Sequence, residues 1–152
     1  MRRVLIVALG NELCGDDGFG PAVLARLHDD PAIASCADLL LAGTDLLGQI
    51  ERFLDYTDVL LLDAVLEPSR AGEVVLFEEQ ELLSWPADAP SGHQISPLLA
   101  VRLFRTLHPE APTRLRLLGL CVEAIALAPN HCAPAALAAA RDRLLRLTRC
   151  YR

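Results

Sequence analysis

The sequence contains no lysine: all 14 of its basic residues are arginine. That absence excludes the phosphate-gripping lysine of nucleotide hydrolases, Schiff-base chemistry and the lysine of a phospho-receiver. Positive charge is also in the minority, because 14 Arg stand against 20 Asp and Glu, a net charge of −6. Such an acidic balance argues against binding a nucleic-acid backbone. No apolar run approaches the ~18 residues that would suggest a membrane helix. CxxC is missing too. Five cysteines stand at 14, 36, 121, 132 and 150. The odd number and the spacing fit neither a disulfide framework nor a structural zinc centre, so the thiols are read as reduced, in a cytoplasm. HExxH and GxSxG are absent, which leaves zincins and α/β-hydrolases without support.

What remains is a chain of 152 residues, 53% apolar, with a mean hydropathy of +0.32. That composition excludes intrinsic disorder, and the length predicts one domain over 1–152 with a sizeable core. Met1-Arg2-Arg3 followed by Val4–Leu9 imitates a signal peptide. The apolar run is at the short end for such a segment, and acidic, Gly-rich residues follow at once, so a first β-strand is expected instead.

Val4–Leu9 and Val59–Leu62 are continuous apolar runs of strand length, as in a parallel sheet covered on both faces. Ala37–Leu41 reads as the second strand, Glu73–Phe77 as the fourth and Leu115–Leu120 as the fifth. The link Ala64–Ala71 is too short for a right-handed parallel crossover, which places the fourth strand antiparallel. Helices are expected from Pro21 to His28, over Leu46–Leu54 with Thr44 or Asp45 as cap, as a turn over Glu78–Leu83, over Ser96–Leu107 and over Ala133–Arg149. Alternating strands and helices predict an α/β three-layer sandwich.

In open α/β sheets, ligands bind outside the C-terminal ends of the parallel strands. The polar residues expected there are Asp16 and Asp17 after strand one, Asp63 closing strand three, His93 before a long helix, and Cys121 and Glu123 after strand five. Asp63 is the most telling, since an unpaired carboxylate beside an apolar strand would cost several kcal/mol. Its bland alternative is a cap or a loop salt bridge. For the adjacent Asp16 and Asp17 it is helix capping, with one side chain facing the sheet edge and the other the helix start. Two carboxylates and one imidazole suit a divalent metal with open positions, and do not choose among Zn, Fe(II), Ni(II) and Mn. Cys14 lacks an adjacent His and is read as structural or incidental. A phospho-receiver would share the acidic pair and the strand-three Asp, but fails on the missing lysine and on the spacing before Asp16. Gly10, Gly15, Gly18 and Gly20 do not match GxGxxG, so a dinucleotide site is weaker still.

The segment Gly10-Asn11-x-Leu13-x-x-Asp16-Asp17-Gly18-x-Gly20 resembles the N-terminal signature of the [NiFe] hydrogenase maturation proteases. The likeness extends to chain length, to Asp63-Ala64 after a buried strand, to His93-Gln94 and to Glu123 after strand five. The resemblance implies a twisted five-stranded, mostly parallel sheet between helices, phosphorylase/hydrolase-like, with strand four antiparallel. It implies an endopeptidase that removes the C-terminal extension of a hydrogenase large-subunit precursor, with Asp17, Asp63 and His93 as catalytic residues and metal ligands. The metal is nickel, supplied by the substrate, with other divalent ions able to substitute. The expected partner is the large-subunit precursor, with no nucleic acid and no membrane, and the protease is expected to be a cytoplasmic monomer. Hydrolysis is expected to proceed by metal-polarised attack of water. One departure stands out: where the family often has DGGT after strand two, this chain has Leu41-Ala42-Gly43-Thr44. That keeps a second possibility in play, a noncatalytic metal-binding or chaperone-like assembly subunit of the same fold.

Overall fold

A computed structural model describes residues 3–10, 18–43, 45–86, 97–124 and 133–149. Strand β1 (Val4–Leu9) is followed by helices α1 (Phe19–Leu27) and α2 (Pro31–Ala34), strand β2 (Ala37–Gly43) and a 3₁₀ helix over Leu47–Asp55. Strand β3 (Asp58–Leu66) leads through a short turn to β4 (Val74–Glu78) and α3 (Glu79–Ser84). Helix α4 (Pro97–Leu107), strand β5 (Arg114–Val122) and helix α5 (Pro134–Thr148) complete the order. The sheet runs β2-β1-β3-β5-β4. Every pairing is parallel except β4 with β5, which is antiparallel. This is the mixed five-stranded sandwich expected from the sequence.

Alternation along the buried strands divides the core into two layers. Val4, Ile6, Leu60, Leu62, Leu118 and Leu120 face α1, α2 and α5. Leu5, Val7, Val59, Leu61, Leu115 and Leu117 face the 3₁₀ helix, α3 and α4. Helix α4 covers its side with Leu98, Val101 and Phe104, a spacing that forms one helical stripe. Each such side chain contributes roughly 1.5–3 kcal/mol on full burial.

Several elements differ in extent from the sequence reading. Both β3 and β5 are longer than the apolar runs that announced them, since each supports the other: their ladder continues to Leu66 opposite Val122. The pairing of β1 with β3 stops at Ala8 opposite Leu62. The sheet edge is therefore stepped, with two central strands running on past a third. Asp63 was expected to close strand three; it lies inside β3, at the first position beyond the β1 ladder. Cys121, expected just past strand five, lies within β5 for the same reason. The helix after β2 is of the tighter 3₁₀ type; its N-cap position is Leu46, which has no side-chain cap bond, while Asp45 one residue earlier accepts the Gly48 N–H at 3.2 Å. Thr44, the other expected cap, falls outside the described residues.

Gly20 fixes α1 against this step. A Cβ there would stand 2.7 Å from the Leu62 carbonyl oxygen and 2.9 Å from the Leu9 nitrogen, and would collide with the Leu9 carbonyl as well. These are backbone atoms of β1 and β3, so they cannot swing aside as a flexible side chain could. Gly20→Ala is therefore expected to lower stability by about 1–3 kcal/mol. Thermal denaturation should show a midpoint lower by several degrees; an unchanged midpoint would contradict the close approach.

Candidate functional site at the sheet edge

Asp63 is 1% exposed, although it is charged in isolation. It stands opposite Gly119 of β5 and has no counterpart in β1, whose ladder has ended. Its Oδ1 accepts the N–H of Ala64 at 2.9 Å. Strand alternation puts it on the face of Val59 and Leu61, the side that α4 covers. A carboxylate buried at that depth must be compensated by hydrogen bonds or by charge. The step in the sheet explains how an apolar strand tolerates it, because the side chain sits where the neighbouring strand has stopped.

Two other chain segments begin or end at this edge. β1 runs out at Leu9 and Gly10, and α1 begins with Gly18 as its N-cap. Gly10 adopts φ 111°, a left-handed conformation that glycine tolerates, and its N–H donates to the Gly43 carbonyl at 3.0 Å. Helix α4 runs back across the sheet. Near its C-terminal end Arg105 donates to the carbonyls of Ala111 and Thr113, beside the start of β5. Pro97 lies eight residues earlier, about 12 Å along a helix. His93 precedes Pro97 by four residues.

Of the expected trio, only Asp63 is among the described residues; Asp17 and His93, and likewise Cys14 and Asp16, lie outside them. Among the described residues no group of three His, Cys, Asp or Glu could hold a metal ion. Glu123 is exposed just beyond β5. A cavity of about 600 Å³ opens at this end of β5, lined by Ala71, Gly72, Cys121, Glu123, Ala133 and Ala136 among others. Sequence reasoning missed it, since alanines carry no chemical signal.

Cys121 in its wall is fully buried. Burial pushes its thiol above the usual range; the Arg70 charge opposes this, and Glu67 and Glu73 reinforce it. A thiol held protonated in this way is a poor nucleophile. Iodoacetamide mapping of the native protein at neutral pH is expected to leave Cys121 unmodified until denaturant is added. Rapid native labelling at that position would contradict the assignment.

Comparison with known proteins agrees with the geometry. No family model matches the chain. A curated protein of Methanocaldococcus jannaschii named "Putative hydrogenase maturation protease" is 29% identical over 92 residues, 55% of this chain and 54% of that protein. The chain thus spans about half the length of the curated relative that it matches. Among solved structures, the [NiFe] hydrogenase maturation protease HybD from Thermococcus kodakarensis superposes with a TM-score of 0.76 at 25% identity, covering 98% of this chain and 100% of that one. A hydrogenase 2 maturation peptidase from a Thaumarchaeota archaeon gives 0.66 at 26% identity, covering 96% and 97%. The maturating endopeptidase HybD of E. coli shares the fold, with a TM-score of 0.71 at 19% identity over 98% of this chain and 93% of that one. In fold and over nearly its whole length, the chain is similar to the [NiFe] hydrogenase maturation proteases.

Proposed function

We propose that this protein is an endopeptidase that removes the C-terminal extension from the nickel-loaded large-subunit precursor of a [NiFe] hydrogenase. One observation carries the reading. A carboxylate buried at the stepped edge of the sheet is set in a fold that matches a [NiFe] hydrogenase maturation protease over 98% of the chain. The edge is where open α/β sheets place their ligands.

In this reading Asp17 and Asp63 supply oxygen ligands and His93 a nitrogen. Three such donors leave positions open on a divalent ion. Nickel enters as part of the substrate, and the trio recognises it there; another divalent ion of similar preference can stand in. Held by these three side chains, such an ion would supply Lewis-acid polarisation of the scissile carbonyl toward attack by water. The buried thiol of Cys121 takes no part. The protease works in the cytoplasm as a monomer. Among the described residues no helix is long and apolar enough to cross a membrane.

Asp63→Asn keeps the side chain's shape and removes its charge. It is expected to lower the rate of precursor shortening by about 10²-fold or more, with the thermal midpoint near that of the parent. His93→Ala should behave alike, and Asp16→Asn should matter less. Chelator-treated, desalted protease should still shorten the nickel-loaded precursor on a denaturing gel and leave the nickel-free precursor intact. Parent rates from both the Asp63 and His93 variants would remove the site. Cleavage of the nickel-free form would remove the idea that nickel arrives with the substrate. Stable binding of the precursor without shortening would favour a noncatalytic assembly role.

A further inference from the structure

The cavity of about 600 Å³ at the end of β5 is not used by the reaction proposed above. Its size falls within the range of ligand pockets, roughly 300–1,000 Å³. Ala71, Gly72, Ala124, Ala133, Ala135 and Ala136 contribute to its wall, and Leu120 and Val122 add aliphatic surface. Small side chains leave here the room that larger ones would occupy. A Cβ at Gly72, for instance, would meet nothing within 4 Å.

Among the described residues of the wall, Glu123 alone is charged. Two further acidic residues flank the same end of β5. Glu67 donates its backbone N–H to the Val122 carbonyl at 3.0 Å, and the Glu73 carbonyl accepts the Cys121 N–H at 2.9 Å. The charges of both side chains act on the Cys121 thiol in the wall, behind the larger effect of burial. Arg70, paired with Glu73 at 2.9 Å, sets one positive charge against these three carboxylates. The cavity thus combines an aliphatic wall with a negative surround. A long side chain with an aliphatic stem and a cationic head complements both.

The position of the cavity identifies the bearer of that side chain. Gly119 stands opposite Asp63, and Glu123 follows Gly119 by four residues, just past the end of β5. At a rise of ~3.3 Å per residue, that is about 13 Å from the level of Asp63. An extended peptide held at Asp63 covers such a span with about four residues.

We propose that the cavity is a specificity subsite for the processing reaction. It receives the side chain of an arginine or lysine of the precursor, about four residues from the scissile bond, with Glu123 as the carboxylate partner. This rests on the reading of Asp63 as part of the processing site.

Steady-state shortening of the nickel-loaded precursor tests it. Glu123→Gln is expected to raise KM about 3- to 10-fold, with kcat within about twofold of the parent. Ala135→Leu fills the cavity from an exposed position in the first turn of α5. It should raise KM alike, with the thermal midpoint near that of the parent. Glu110→Gln makes the same charge change at an exposed site before β5 and should keep the parent KM. In the precursor, each Arg and Lys within about five residues of the cleavage point is replaced by Met in turn. One replacement should raise KM for the parent protein and abolish the further effect of Glu123→Gln. A parent KM from Glu123→Gln or from Ala135→Leu would overturn the proposal and leave the function reading standing. So would an equal rise from Glu110→Gln, an effect of Glu123→Gln that persists on every replaced precursor, or a precursor with no Arg or Lys in that range. Failure of the parent protein to shorten the precursor would bring down that reading and the proposal together.

Discussion

The architecture depends on the unequal length of its central strands. β1 ends its pairing with β3 at Leu62, while β3 and β5 continue together to Leu66 and Val122. The stretch of β3 that has lost its β1 neighbour is where a carboxylate enters an otherwise apolar strand. The step is held from one side by α1, whose Gly20 lies against the backbone of Leu9 and Leu62. From the other side it is covered by α4, through Leu98, Val101 and Phe104. With a side chain at position 20, α1 would stand off from the step.

This arrangement couples stability to function in one direction. A buried carboxylate favours pairing with a cation or with hydrogen-bond donors over standing bare in an apolar surround. The fold keeps Asp63 almost wholly from solvent, with its Oδ1 accepting the Ala64 N–H. Under the proposed function the cation is the nickel of the substrate, and its recognition by the protease is at once a check that the metal has been inserted. In the layer on the α4 side, Arg105 of α4 is matched by Glu79 of α3, and Arg102 by the carbonyl oxygens of Trp85 and Leu83.

Much of this is legible in the sequence, for identifiable reasons. Val4–Leu9 matches its strand residue for residue, because a run buried on both faces has no alternative place to lie. The short link after β3 compels the antiparallel β4, a matter of chain length rather than of propensity. The ends of β3 and β5 were not legible. Asp63 and Cys121 look like terminators by residue type, whereas their strand assignment comes from a partner strand 56 residues away in sequence, Asp63 opposite Gly119 and Val65 opposite Cys121. Short α2 went unread, although Pro31 and the Asp30 cap announce it. For the candidate site, the sequence singled out Asp63, and the structure places it at the sheet edge where the argument from strand ends expected ligands.

The central claim is that Asp63 is one wall of a three-residue metal-recognition site at this edge. A crystal structure of the protein soaked in cadmium, with anomalous data collected, tests it most directly. The account predicts one ion coordinated by Asp63, Asp17 and His93, with ligand distances of about 2.0–2.4 Å. An ion bound elsewhere, with the carboxylates of Asp17 and Asp63 more than about 10 Å apart, would contradict it, since ligands of one ion cannot be so far separated.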